Sequence, residues 1–243
     1  MALHGSGPGP GMMGHMVPAS SGLLGAVSLH PLSVLYFAAA LAVGLVVHEY
    51  AHAWAAVRLG DLTPRSMGRL SLNPKVHADP FGTVALPAIL LLVVLFSGSG
   101  FVFAYAKPMP VNAWNLRNKS RDPVLIAMAG PVASFLLAVV FGVVGRVTCG
   151  TAVLTDILRD AVFVNVILAA FNLVPMPPLD GARAISQFLP VRAREVMGNL
   201  EQFGALFILL VLFILPRSGL VQFVDTIANG LLSLIPGSHC LRF

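Results

Sequence analysis

The chain has 243 residues, of which 57% are hydrophobic and 10% charged, with a formal net charge of +5 and a mean hydropathy of +0.85. A soluble domain carries about a quarter charged residues, so this chain lacks the polar surface needed to face water on every side and is read as a membrane protein. Basic loops held on the cytoplasmic side account for the positive charge; no nucleic-acid partner is expected, and Cys149 and Cys240 are too far apart in sequence to suggest a metal pair or a disulfide framework.

Residues 1–30 are rich in Gly, Pro and Ser and contain no Lys or Arg. They lack the basic start of a signal peptide and are expected to form a disordered tail, in which His4 and His15 have no assigned role. Apolar runs follow at 32–57, 81–106, 123–147, 157–174, 200–215 and 219–235. Runs of 17 to 25 apolar residues span a hydrocarbon core of roughly 30 Å. The last run is the weakest, because it carries Asp225 and Asn229.

The basic residues set an orientation. Arg58, Arg65, Arg69 and Lys75 follow the first run, Lys107, Arg117, Lys119 and Arg121 the second, and Arg183, Arg192 and Arg194 the fourth. These loops are expected in the cytoplasm and the tail outside. Both ends of the second run are then on one side, which a single crossing cannot achieve. The run is therefore expected to be re-entrant, turning at "SGSG" (97–100) and returning as an extended piece, "FVFAYA" (101–106). The predicted fold is an all-α polytopic membrane protein with five or six transmembrane helices and a re-entrant element after the first. The expected domains are the tail, 1–30, and a single membrane-embedded domain, 31–243, with its core at about 32–200.

This topology brings the ends of the first and fourth runs together at the cytoplasmic side. The first carries "HEYAH" (48–52) and the fourth leads into "PMPPLDG" (175–181). On a helix His48 and His52 share a face and can reach one ion. Glu49 is offset from them by about 100° and about 60°, so it can reach a water on that ion without ligating it. Two imidazoles at this spacing with a glutamate beside the first suit a zinc site with a general base. Ionisable groups inside a bilayer each cost a few kcal/mol, so three within five residues of an apolar helix need a function to retain them.

A third ligand must come from elsewhere among ten acids. Asp61, Asp79 and Asp122 fall in basic loops and are expected to be solvated or paired. Asp156 and Asp160 fall on the outer side. Glu195 and Glu201 flank the fifth run, where pairing with nearby Arg is the plainer account. Asp180 follows Pro175, Pro177 and Pro178, which end the helix and stiffen an extended strap, and precedes Gly181. A rigid strap presenting one carboxylate suits a ligand, and a turn-capping role is the alternative.

These residues resemble the site-2 protease family of intramembrane zinc metalloproteases, which pairs HExxH on one transmembrane helix with an NxxPxxxxxDG-type sequence on another. Here those are His48 to His52 and Asn172 to Gly181. "LGDLTPRSMGRLSLNPKVHADPFGT" (59–83), "AKPMPVN" (106–112) and "AGP" (129–131) are similar to the intervening stretches of compact prokaryotic members, and no stretch is long enough for PDZ or CBS domains. The resemblance implies that His48, His52 and Asp180 bind one Zn2+ and that Glu49 is the catalytic base. It implies a role for Asn172 in positioning substrate or oxyanion, with a helix cap as alternative. His77 is either near the site or a hydrogen-bonded loop histidine. Members often carry Asn where this chain has Ser134, which leaves that position's role open. The implied activity is hydrolysis of peptide bonds within or near transmembrane segments of membrane-protein substrates, in a multi-pass protein of the plasma membrane with its active site near the cytoplasmic side. A zinc-binding membrane transporter or sensor and an inactive scaffold are the alternatives; transporters tend to repeat broken helices in two halves, and no second half is visible.

Overall fold

The computed structural model describes residues 31–97, 104–107, 109–148, 152–201 and 219–241. The expected tail, the turn at 98–100, residues 101–103 of the returning piece and most of the fifth apolar run lie outside them. The described residues are helical or irregular, with no strand among them. Helix α1 (Pro31–Leu59) is followed by two one-turn helices, α2 (Thr63–Ser66) and α3 (Pro74–His77), then a π-helical turn (Pro80–Ala85) that leads into α4 (Leu86–Ser97). A 3-10 turn (Ala113–Asn115) precedes α5 (Asp122–Val147) and α6 (Ala152–Asn172). The chain ends with α7 (Asp180–Ser186), α8 (Val191–Glu201), α9 (Gly219–Ser233) and α10 (Ser238–Leu241).

Among the described residues two helices are long and apolar enough to cross a membrane, Val34–Leu59 within α1 and α5 itself, each of 26 residues. Both carry polar groups near their ends and little charge between. Helices α1, α5 and α6 pack against one another. Small residues permit the approach. A Cβ at Gly44 of α1 would lie 3.0 Å from Oδ1 of the buried Asn165 on α6, whose Nδ2 donates to the Ala161 carbonyl at 2.8 Å. The main apolar core joins α5 and α6 to Val174, Leu179, α9 and α10. At the far end of α5, Gly142 and Gly145 make room for Ile235 and Leu241.

Proline sets the short elements. It occupies the first turn of α2, α3 and the π-helical turn, where its missing N–H costs nothing. Asn73 caps α3, and Asp79 accepts from the N–H groups of Phe81 and Gly82. The chain returns beside this segment after α4: Tyr105 N–H donates to the Gly82 carbonyl at 3.1 Å and Lys107 N–H to the His77 carbonyl at 2.8 Å.

Two expectations about polar groups are corrected here. Asp61 is not a solvated loop acid; it is buried. Its carboxylate accepts from Thr63 N–H (3.0 Å), Thr63 Oγ1–H (2.6 Å), Asn112 N–H (2.7 Å) and Asn115 Nδ2–H (3.0 Å). Burial pushes its carboxyl up, and these donors outweigh that and hold it below the usual carboxylate range. Asp61 thereby ties the end of α1 to residues 112–115. Cys240 is disulfide-bonded, and Cys149 is the other cysteine of the chain.

Candidate metal centre

The site is assembled from three places. His48 and His52 lie one turn apart on α1, and both are buried. Asp180 opens α7 and is also buried. The strap that delivers it is anchored at both ends, because Val174 and Leu179 are inserted in the main core. Gly181 lets the first turn of α7 sit against the end of α6: a Cβ there would meet the Leu173 and Val174 carbonyl oxygens at 2.4 and 2.5 Å. Any side chain at 181 would push the carboxylate away from α1.

One oxygen of Asp180 faces both histidines. Nε2 of His48 lies 3.0 Å from Oδ2, and Nε2 of His52 lies 3.1 Å from the same atom. The three ligand atoms lie within 4.8 Å of one another. Burial works against the Asp180 carboxylate, and the two imidazoles overcome it, holding the group below the usual range. Arg183, one turn along α7, places Nη1 4.0 Å from Oδ1.

The other ring nitrogens decide what this cluster needs. Nδ1 of His52 lies 2.7 Å from the Ile126 carbonyl oxygen. A carbonyl only accepts, so Nδ1 carries the proton, and a neutral His52 turns the lone pair of Nε2 toward Asp180. Nδ1 of His48 is 2.9 Å from the hydroxyl oxygen of Ser134. Where Ser134 accepts from His48 in the same way and both rings are neutral, two lone pairs and a carboxylate oxygen converge on one small space. A proton or a metal cation between them satisfies such an arrangement. Tetrahedral zinc with bonds of about 2.0–2.1 Å spaces its ligand atoms by about 3.3 Å, close to the separations seen here.

Gly130 of α5 keeps that space open. A Cβ there would lie 2.2 Å from Nε2 of His52 and 2.6 Å from Nε2 of His48. The residues fit a zinc ion: two imidazoles, one carboxylate, and a hollow that a single methyl group would fill. A cleft of about 320 Å³ opens onto the cluster between Met109 and Val111 on one side and Arg183 and Gln187 on the other, with His52 and Asp180 at its base.

Glu49 follows His48 on α1 and is half-buried. The remaining expected residues are turned elsewhere. Nε2–H of His77 donates to the Ser71 carbonyl at 2.6 Å, and His77 is not part of the cluster. Asn172 donates from Nδ2 to the Leu168 carbonyl at 2.9 Å, as a residue ending α6 does. Glu195 is exposed on α8. Ser134, whose role the sequence left open, meets His48. The part played by Gly130, quoted only within "AGP", and the Ile126 carbonyl were not anticipated.

The chain is similar to known proteins over most of its length. "Putative zinc metalloprotease YwhC" of Bacillus subtilis (strain 168) is 36% identical over 203 residues, covering 79% of this chain and 86% of that protein. "Putative zinc metalloprotease Rip2" of Mycobacterium tuberculosis (strain ATCC 25618 / H37Rv) is 30% identical over 182 residues, covering 72% of this chain and 64% of that protein. Rip2 of Mycolicibacterium smegmatis is 30% identical over 170 residues, covering 69% and 62%. No solved structure matches the chain. Peptidase family M50 matches residues 36–159 and 150–215, which take in both histidines, Glu49 and Asp180. With the resemblance to site-2 proteases met by a family match over most of its length, the chain belongs to Peptidase family M50.

Proposed function

We propose that this protein is a zinc metalloendopeptidase that hydrolyses peptide bonds within or near transmembrane segments of membrane-protein substrates in the bilayer. His48, His52 and Asp180 hold one zinc, and Glu49 is the general base. The observation that carries this reading is the convergence of three acceptor atoms, from residues up to 132 positions apart, on one hollow next to a glutamate. Zinc bound there supplies a Lewis acid for the scissile carbonyl and lowers the pKa of water. Glu49 accepts a proton from the attacking water and passes it to the amide nitrogen as the C–N bond breaks, leaving a carboxylate and an amine. The cleft walls orient the chain and exclude bulk water. The side chains of His77 and Asn172 bond to backbone carbonyls and hold the loop and the helix end.

A helical substrate hides its backbone and must unwind before cleavage. Within the returning piece, residues 104–106 are read as backbone with which an unwound substrate pairs. Residues 31–243 are read as one membrane-embedded domain.

For topology, we propose a multi-pass plasma-membrane protein of five or six spans with its tail outside and its active site near the cytoplasmic face. The basic loops support this orientation. The re-entrant element is supported by α4, whose 12 residues extend about 18 Å, and by the return of residues 105–107 beside 77–82. Cys240 lies at the opposite end from the site: its neighbour Leu241 packs on Gly145, about 22 Å along α5 from Gly130. Disulfides persist in oxidising compartments, which supports an outside location for that end. Single cysteines introduced near residues 77 and 107 of a cysteine-free variant should react with an impermeant thiol reagent from the same, cytoplasmic, side. Labelling from opposite sides would remove the re-entrant element.

Glu49→Gln tests the chemistry. This variant is expected to keep its zinc and to lose cleavage of a transmembrane substrate by about 10²–10⁴-fold. Cleavage at the wild-type rate would remove Glu49 as the base.

A further inference from the structure

We infer that Ser134 is a positioning residue of the metal centre, whose hydroxyl oxygen accepts the Nδ1–H of His48 and so fixes which nitrogen of that ring faces the ion. This rests on the reading of His48 as a zinc ligand.

Ser134 is fully buried in α5, and its Oγ lies 2.9 Å from Nδ1 of His48. Between Asp122 and Arg146 it is the only polar side chain in α5. A hydroxyl placed once in a long apolar helix, at the position that meets a candidate metal ligand, needs more than packing to explain it. The alternative is a serine bonded only within its own helix, and that does not account for the contact with α1 across 86 residues of sequence.

The contact completes a pattern. Ile126, Gly130 and Ser134 recur every four residues and share one face of α5. The Ile126 carbonyl holds Nδ1 of His52. Gly130 leaves room at both Nε2 atoms. Ser134 holds Nδ1 of His48. Each histidine is thus gripped from behind and bares Nε2 to the centre. The two grips differ in chemistry. A carbonyl admits only one tautomer of His52. A hydroxyl can also donate, so the orientation of His48 depends on Ser134 turning its lone pair to the ring. A neutral imidazole ligates through the nitrogen that lacks the proton, and the outer partner of a ligating histidine sets its tautomer and ring plane. With alanine at 134 the His48 ring loses this partner, and the tautomer with its proton on Nε2 competes with metal.

The experiment uses the full chain in detergent, stripped of metal and titrated with zinc against a chromophoric chelator, in wild type, Ser134→Ala and Ser134→Thr. Ser134→Ala is expected to bind zinc roughly 10–100-fold more weakly, and Ser134→Thr, which keeps the oxygen, to recover most of that loss. Cobalt(II) in place of zinc should show a shifted or broadened visible absorption band in Ser134→Ala alone. The thermal midpoint of the metal-free Ser134→Ala protein should fall by no more than the loss of one buried hydrogen bond explains. Wild-type affinity and an unchanged cobalt spectrum in Ser134→Ala would overturn the role of Ser134 and leave the ligand assignment standing. Equal weakening in both variants, or a fall in metal-free stability that tracks the loss of affinity, would assign the effect to packing and overturn it as well. No zinc in the wild type would overturn the ligand reading and this inference with it.

Discussion

Gly130→Ala is expected to keep the helical fold and to weaken zinc binding by one to two decades. The added methyl carbon would lie 2.2 Å from Nε2 of His52 and 2.6 Å from Nε2 of His48. Neither ring can swing aside freely, because the Ile126 carbonyl and the Ser134 hydroxyl hold their other nitrogens. Nor can α5 shift outward without breaking its packing on α1 and α6. Forcing a methyl group into a filled site costs about 1–3 kcal/mol. The methyl meets both rings whether or not an ion is bound, so the rings must shift and the ligand atoms lose their common focus. Zinc per chain after dialysis against a weak chelator measures the loss, and far-ultraviolet circular dichroism checks that the helices remain. Undiminished zinc in a normally helical Gly130→Ala protein would show that the ion sits elsewhere.

Asp180→Ala is expected to lower zinc from about one per chain to a small fraction of that. The two histidines alone would remain, four residues apart on one helix, and a catalytic zinc takes three protein ligands plus an open position. The variant also removes the negative charge that balances the ion in a buried site, where charge is screened far less than in water. Asp180→Asn separates the two effects, since it keeps an oxygen at the same place and removes the charge; its zinc content should fall between the other two. Elemental analysis of protein purified in detergent gives the comparison directly. Equal zinc in wild type and Asp180→Ala would dismiss Asp180 as a ligand. The exposed position of Glu195 on α8 makes it a poor substitute.

Some residues were legible before any coordinates. Two histidines and a glutamate in five residues of an apolar helix demand a purpose, and Asp180 stood apart from the other acids because prolines stiffen the strap before it. Asp61 was misjudged for a physical reason. An acid in a basic loop is ordinarily paired with Lys or Arg or left in water, and nothing local shows that two backbone N–H groups, a threonine hydroxyl and an asparagine amide will close around it. His77 and Asn172 were left between two roles, because a side chain that can reach a site can also reach a nearby carbonyl. The Ile126 carbonyl could not be singled out at all, since every residue but the prolines carries the same backbone groups.

Composition and short-range spacing account for residence in a membrane, a helical architecture, and two imidazoles on one face with a carboxylate beside them. Those follow from the cost of burying charge in hydrocarbon and from the pitch of the α-helix, both local properties. Only the tertiary structure decided that Asp180 meets both histidines at a single oxygen, that Gly130 leaves the hollow between them, and that α5 grips each ring from behind. These depend on how closely α1, α5 and α7 approach one another, which is set by packing between residues 74 to 132 positions apart and not by the local pattern of any one helix.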